Sequence, residues 1–185
     1  MIESTCQETS ERMAKSIEAL KTELKRVRTG RASLTILDGI RVDYYGTPTP
    51  LNQMATLAVP ESRLITIQPW DVSAIKEIEK AILRSDLGLT PSSDGKIVRI
   101  AIPPLTEERR KALGKVVNKL GEEYKVAVRN IRRDGNEMLK LAKKDGDISE
   151  DDAFKGQDSI QEITNTFIAK IDDTVKEKET EILEF

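Results

Sequence analysis

Arginine is concentrated in the segment of the chain that is best suited to bind an anionic ligand. Residues 128–134 read Val-Arg-Asn-Ile-Arg-Arg-Asp and place arginine at positions 129, 132 and 133. A guanidinium group makes planar, two-pronged contacts with phosphate and stacks on bases, which a lysine ammonium cannot do. On a helix, which turns about 100° per residue, these arginines would share one broad sector with several lysines. The lysines of this sector are Lys111, Lys125, Lys140 and Lys143.

Two interpretations of this basic sector remain open from the residues alone. A rod that carries several arginines would bind a polyanion such as RNA in a salt-dependent way. Alternatively, the sector is a solvated helix face neutralised by acidic side chains of a neighbouring helix, which is the commoner case. The formal net charge of −2 argues against general affinity for nucleic acid, so any RNA contact is expected to be local and directed by shape.

The residue types that most often carry catalysis or bind metals are scarce. The chain has no histidine and one cysteine, so the commonest general base and metal ligand is absent and no internal disulfide can form. No segment has the glycine spacing of a nucleotide-binding loop. The acidic run Glu150–Asp152 lacks the ligand spacing of an EF-hand. We therefore expect no catalytic residue, no cofactor and no metal site.

A few other residues could do chemistry but are interpreted as structural. Trp70 and the pair Tyr44 and Tyr45 have rings that could stack on bases. Their positions at strand edges fit packing in the core or at the rim of a small domain better. Cys6 lies near the amino terminus and is interpreted as an exposed residue there.

The composition is that of a helix-rich protein with few bulky residues for a thick core. The 185 residues are 34% charged, 38% hydrophobic and 4% aromatic, and this length fits one large domain or two small ones. No apolar run approaches the roughly 18 residues of a membrane span. The amino terminus lacks the basic and apolar pattern of a signal sequence. We therefore expect the protein in the cytoplasm, without a membrane partner.

Three segments have the apolar spacing of long amphipathic helices. They cover residues 4–28, residues 107–144 and the stretch that starts at Ser149, where Asp152 completes a pattern similar to a capping box. The second and third helices would each be roughly 50 Å long, which is too long for a compact globule, so they must lie side by side. The predicted apolar stripes are Met13, Ile17, Leu20, Leu24 and Val27; Leu113, Val117, Leu120, Tyr124, Ala127, Ile131, Met138 and Leu141; and Ile160, Ile163, Phe167, Ile171, Val175 and Ile182.

Residues 31–104 have the shorter periodicities of a small α/β domain. Strands are predicted at 40–44, 57–59, 64–67 and 97–102, and a helix at 72–84. A rigid turn is predicted at 46–50, a break between the second and third strands at 60–62, and a hairpin at Asp94–Gly95. The predicted fold class is therefore α+β. A long three-helix bundle of residues 1–30 and 105–185 would carry an inserted, sandwich-like β-α-β domain of residues 31–104.

The inserted domain would be joined to the bundle by two links, Thr29–Ser33 and Ile102–Leu105. Gly30 gives the first link conformational freedom, whereas Pro103 and Pro104 stiffen the second. The links form either a hinge with a restricted range of angles or an ordinary domain boundary, and the residues alone do not decide between the two.

Six short runs occur in a characteristic order along the chain. They are VRTGRAS at 27–33, YYGTPTPL at 44–51, SDLGL at 85–89, PPLTEERR at 103–110, AVRNIRRD at 127–134 and ISEDD at 148–152. Each run is weak alone, but all six in register are specific, and together they resemble the bacterial ribosome recycling factor family. The similarity covers essentially the whole chain. The departures lie mostly near the amino terminus and in the linker at 145–147.

The resemblance implies an L-shaped, monomeric molecule in which a long bundle and a small α/β domain meet at a flexible elbow. Proteins of this family bind the ribosome after termination, chiefly through contacts of the bundle with large-subunit ribosomal RNA. With elongation factor G and its GTP hydrolysis, they separate the subunits and free the messenger RNA. Carried onto this sequence, the RNA-binding residues are Arg28, Arg110, Arg129, Arg132 and Arg133, and the hinge residues are Thr29, Gly30, Arg31, Pro103 and Pro104.

Two other classes of function are weighed against this one. A structural coiled-coil scaffold would explain the helix pattern but neither the inserted domain nor the arginine face. An enzyme without histidine would need a pair of carboxylates for acid–base chemistry, and no such pair is visible in the sequence.

Overall fold

A computed structural model describes residues 1–184, which form two compact units. The helical bundle consists of Met1–Arg28 and Glu107–Glu184, and the small domain consists of Thr29–Thr106. Helices make up the bundle and antiparallel strands dominate the small domain, which confirms the predicted α+β fold class. No helix among these residues combines the length and the apolar character that crossing a membrane requires.

The helices and strands follow one another in a simple order. The bundle contributes the first helix and the last two, and the small domain lies between them in the chain. The elements are α1 (Ile2–Arg26), β1 (Arg41–Tyr44), β2 (Thr47–Pro50), β3 (Ala55–Glu61), β4 (Leu64–Pro69), α2 (Ile75–Arg84), β5 (Pro91–Ser93), β6 (Val98–Ala101), α3 (Glu107–Lys144) and α4 (Glu150–Glu184), with 3₁₀ turns at Leu34–Leu37, Leu51–Gln53 and Val72–Ala74.

The three predicted long helices are confirmed as α1, α3 and α4. Helix α3 covers the predicted residues, with acidic side chains in its first turn and basic ones in its last turn, which favours the helix dipole. Helix α4 begins after Ser149, whose hydroxyl accepts a 3.1 Å hydrogen bond from the Asp152 amide, as expected for an N-cap. Helix α1 ends at Arg26, slightly before its predicted end.

Helix α3 is antiparallel to both of its neighbours in the bundle. Tyr124 donates a 3.0 Å hydrogen bond to Glu23 of α1. Further along α3, Asp134 forms a 2.7 Å ion pair with Arg12. Residue numbers in α1 thus fall as those in α3 rise, and the hydrogen bonds between α3 and α4 follow the same inverse order.

Glycines let the long helices approach each other closely in the core. A Cβ atom at Gly121 would lie 2.6 Å from Cγ2 of Val175, and one at Gly135 would lie 2.7 Å from Oγ1 of Thr9. At Gly156 of α4, the nearest atom would be a leucine methyl of α3 at 2.8 Å. Side chains of neighbouring helices therefore occupy the space above these glycines, and a larger residue would have to displace them.

The predicted apolar stripe of α3 is wrong near the carboxyl end of the helix. Met138 and Leu141 are 43% and 50% exposed, whereas Leu139 is fully buried. A step of seven residues, as from Ile131 to Met138, turns an α-helix about 20° short of two full turns. The core continues instead through the buried Gly135, which a search for apolar side chains does not reveal.

The small domain contains a four-stranded antiparallel sheet in the order β3–β4–β6–β5 and a separate hairpin of β1 and β2. The predicted helix at 72–84 is confirmed as a 3₁₀ turn followed by α2. Its apolar face, Ile75, Ile78 and Ile82, is buried in a core shared with Ile65 and Ile67 of β4. Strand β5, which the sequence patterns do not predict, forms one edge of the sheet.

The rigid turn predicted at residues 46–50 is wrong, because most of this segment forms β2. The hairpin turn is made by Tyr45 and Gly46, whose φ angles are 51° and 79°, as in a type I′ turn. The prolines of β2 are tolerated because a two-stranded sheet consists of edge strands, in which not every amide needs a partner. Pro60 and Glu61, predicted to separate two strands, likewise lie within β3.

Two glycines of α3 provide a matched test of the close packing in the bundle. Gly114→Ala places its methyl in open space, so it should raise the free energy of unfolding by roughly 0.5–1 kcal/mol through helix propensity alone. Gly121→Ala drives its methyl into the stiff Val175 side chain and should lower that free energy by about 1–3 kcal/mol. Urea unfolding measures both, and equal stability of the two variants would contradict the packing.

Candidate RNA-binding surface

Helix α3 presents three of the predicted RNA-binding arginines within little more than one turn. Arg129 and Arg133 are exposed and lie one turn apart, whereas Arg132 is half-buried beside α4. Within residues 1–184, no carboxylate forms an ion pair with any of the three. Their positive charges are therefore not neutralised by direct pairing, which leaves them able to bind an anionic ligand.

A short polar network fixes the position of the Arg132 side chain. Its Nη1 donates a 3.1 Å hydrogen bond to Oε1 of Gln161 on α4. The amide of Gln161 in turn donates a 2.9 Å hydrogen bond to Asn165. Because Gln161 is neutral, it orients the guanidinium group without cancelling its charge. The sequence gives no signal for this contact, since it depends on which residues of α4 face α3.

The lysines of the predicted basic sector differ from the arginines in that each is paired with a carboxylate. Lys125 Nζ lies 2.5 Å from Asp172 of α4 and 3.0 Å from Glu122, and hydrogen bonds to these carboxylates, Asp172 foremost, raise the pKa of Lys125. The other pairs are Lys111 with Glu107, Lys140 with Glu137, and Lys143 with Glu150. Neutralisation by acidic neighbours therefore describes the lysines of this sector but not its arginines.

The other two predicted RNA-binding residues lie toward one end of the bundle. Arg28 is exposed just past the end of α1. Arg110, in the first turn of α3, is half-buried and donates a 3.2 Å hydrogen bond from Nη1 to the Leu183 carbonyl of α4. Arg110 lies 19 residues before Arg129, about 28 Å along the helix axis. The structure thus does not bring the five arginines together at one point.

Of the predicted hinge residues, Gly30 has a backbone conformation that favours glycine. Gly30 has a φ of 78°, a left-handed conformation that glycine adopts at little cost. Thr29 is buried, while Arg31, Pro103 and Pro104 are exposed. Whether these residues allow motion between the two units stays a prediction.

Two of the three small-domain aromatics lie at the exposed rim of the domain and not in its core. Tyr45 is 80% exposed and Trp70 is 68% exposed. Hydrogen bonds hold them at the surface: the Tyr44 and Tyr45 hydroxyls both donate to Asp71 Oδ2 at 3.1 Å, and Trp70 donates from Nε1 to a threonine of β3. The pKa of Asp71 is lowered, mainly by its hydrogen bonds with Ser73 and further by those from the tyrosines.

Arginines grouped on one helix face, with no carboxylate partner among the described residues, form the kind of basic patch that can bind a polyanion. A sequence model of the ribosome recycling factor family matches residues 20–183, which is most of the chain. The chain therefore belongs to the ribosome recycling factor family. It is 67% identical to the ribosome-recycling factor of Desulfatibacillum aliphaticivorans over 185 residues and 62% identical to that of Desulfosudis oleivorans over 184 residues, in each case with 100% of both chains covered.

Solved structures of the same family are similar to the whole chain. The solution structure of a ribosome recycling factor is 39% identical, has a TM-score of 0.71 and covers 100% of this chain and 98% of its own. A second structure presents the T. thermophilus ribosome recycling factor with E. coli elongation factor G on the E. coli post-termination complex. Its matching chain is 47% identical, with a TM-score of 0.62 and 99% of both chains covered.

The contrast between paired lysines and unpaired arginines predicts different effects on stability. Lys125→Met leaves Glu122 and Asp172 without their shared cation and should lower the free energy of unfolding by about 1 kcal/mol. Arg129→Met, the matched control on the same helix, breaks no ion pair and should leave that free energy unchanged. Urea unfolding at low salt measures both, and a larger loss for Arg129→Met would contradict the assignment of pairs.

Proposed function

We propose that this protein recycles ribosomes after termination by binding ribosomal RNA of the large subunit through Arg28, Arg110, Arg129, Arg132 and Arg133. The observation that carries the proposal is the set of guanidinium groups at 129, 132 and 133, which no carboxylate of the described residues neutralises. The four lysines of the same sector, Lys111, Lys125, Lys140 and Lys143, are each paired with a carboxylate. Guanidinium groups can each form two-pronged contacts with phosphate.

The partners follow from membership of the family. The related factor shown with elongation factor G on a post-termination complex supports the ribosome and elongation factor G as partners of this chain. A ribosomal partner in turn implies that the protein acts in the cytoplasm. We propose that it uses no cofactor of its own and acts as a monomer.

The energy for separating the subunits would come from elongation factor G and its GTP hydrolysis. The sequence of this chain has no nucleotide-binding loop of the usual glycine spacing. Its own contribution would be mechanical: the arginines hold a stiff bundle on RNA, and force applied to the small domain is passed to the bundle. The alternative of bond-making chemistry by this chain would need a catalytic group that neither its sequence nor its described residues suggest.

The hinge forms the second part of the proposal. We infer that Thr29, Gly30 and Arg31 on one link, and Pro103 and Pro104 on the other, let the small domain change its orientation. The left-handed Gly30 would act as the point of rotation, while the prolines limit the range because their φ is fixed.

A pair of charge-removing variants tests the arginine surface. Arg129→Ala should weaken binding to purified large ribosomal subunits by about 1–3 kcal/mol, the scale of a charge-assisted contact. Lys140→Ala removes the same charge from the same helix but from a residue already paired with Glu137, so it should weaken binding much less. Equal losses would mean that the surface acts only through its net charge. Far-ultraviolet circular dichroism confirms that both variants keep their helices.

Variants of Gly30 test the hinge. Gly30→Pro cannot reach the observed φ of 78° and should impair subunit splitting more than large-subunit binding. Gly30→Asn, which tolerates left-handed backbone, should keep most of both activities. Binding is measured by sedimentation with large subunits and splitting by light scattering. A loss of binding as large as the loss of splitting in Gly30→Pro would argue against a hinge.

The function as a whole is tested by light scattering of post-termination ribosomes. The protein, elongation factor G and GTP together should lower the scattering as subunits separate, and omission of any one should abolish the change. Splitting without elongation factor G, or GTP hydrolysis by this protein alone, would contradict the proposal.

A further inference from the structure

Phe154 is a large apolar side chain that is exposed to solvent and does not pack in the core of the bundle. It lies in the second turn of α4 and is 63% exposed. The residues of this part of α4 that are buried in the bundle are Ala153 and Gly156, on a different face of the helix. A single exposed apolar residue needs no explanation by itself, but the surroundings of Phe154 give this one a specific character.

The surroundings of Phe154 are set by two contacts across the seam between α3 and α4. Glu150, four residues before Phe154, forms a 2.7 Å ion pair with Lys143 of α3. Gln161, seven residues after it, accepts the 3.1 Å hydrogen bond from Arg132. Residues four and seven apart share one edge of a helix. Phe154 therefore lies on the edge of α4 that faces α3. Along the α4 axis it is about 10 Å from Gln161, the residue that contacts Arg132.

The charges around Phe154 do not repel a polyanion as strongly as the local sequence suggests. Of the acidic residues near Phe154 on α4, Glu150 is neutralised by Lys143 and Asp151 forms a 2.6 Å ion pair with Lys155. Asp152 and Asp158 form no ion pair among the described residues. On the opposite side of the seam, α3 carries the unpaired arginines at 129, 132 and 133. The exposed ring thus lies about two helical turns from a surface suited to bind phosphate groups.

We propose that Phe154 stacks on an unpaired base of the RNA whose phosphates are bound by the arginines of α3, so that the RNA-binding surface extends across the seam onto α4. This inference rests on the function proposed above. Aromatic rings stack on any base because every base has a π-face. Folded RNA is recognised largely at unpaired bases in loops and bulges. Arginines can bind the phosphate of such a nucleotide while a nearby aromatic ring stacks on its base.

Three variants of the full-length protein separate stacking from other contacts. Binding to purified large ribosomal subunits is measured over a series of salt concentrations. Phe154→Ala and Phe154→Leu should each raise the Kd by about tenfold, whereas Phe154→Trp, which keeps an aromatic face, should bind at least as tightly as the wild type. None of the three removes a charge, so the slope of log Kd against log salt should stay the same. Because the side chain is exposed, the thermal stability should be unchanged.

Two results would overturn the stacking contact. Wild-type affinity of Phe154→Ala would show that the ring does not touch the ribosome. Wild-type affinity of Phe154→Leu together with weak binding of Phe154→Ala would indicate an apolar contact with a ribosomal protein instead of a base. Either result leaves the proposed function intact, because that function is tested by Arg129→Ala. If the wild-type protein itself fails to bind large subunits, the proposed function fails and this contact fails with it.

Discussion

The packing of a basic helix against an acidic one decides which cationic side chains of the predicted basic sector meet a carboxylate. Residues 107–144 carry 12 basic and 6 acidic side chains, and residues 145–185 carry 4 basic and 13 acidic ones. When the two helices pack, carboxylates of α3 and α4 pair with lysines such as Lys125 and Lys143. The arginine at the seam meets the neutral Gln161 instead. One arrangement therefore stabilises the bundle and leaves guanidinium charge available for a ligand.

Much of the fold could be predicted from the sequence, because its signals are local. Apolar spacing and end signals define the long helices: α3 covers the predicted residues and α4 starts at the predicted N-cap Ser149. The positions of the arginines on α3 also follow from helical periodicity. The family resemblance, carried by short runs of residues, supplied the expected function, which composition and spacing could not.

The parts that sequence reasoning missed depend on contacts between distant segments. The prolines of β2 suggested a turn, but pairing with β1 makes the segment a strand. Met138 was expected in the core, yet the neighbouring helices bury Gly135 and Leu139 instead. The contact partners of the arginines also depend on which surfaces meet when the chain folds. The same holds for the exposure of Tyr45 and Phe154.

If the three arginines of α3 hold the bundle on RNA, binding must depend on salt concentration through them. Affinity for large ribosomal subunits is measured against salt concentration for the wild type and for a variant with Arg129, Arg132 and Arg133 all replaced by alanine. Each lost phosphate contact reduces the slope of log affinity against log salt by about 0.7–0.9. Loss of all three contacts should reduce the slope by about 2–3 units with helix content unchanged, and an unchanged slope would show that these arginines do not bind phosphate.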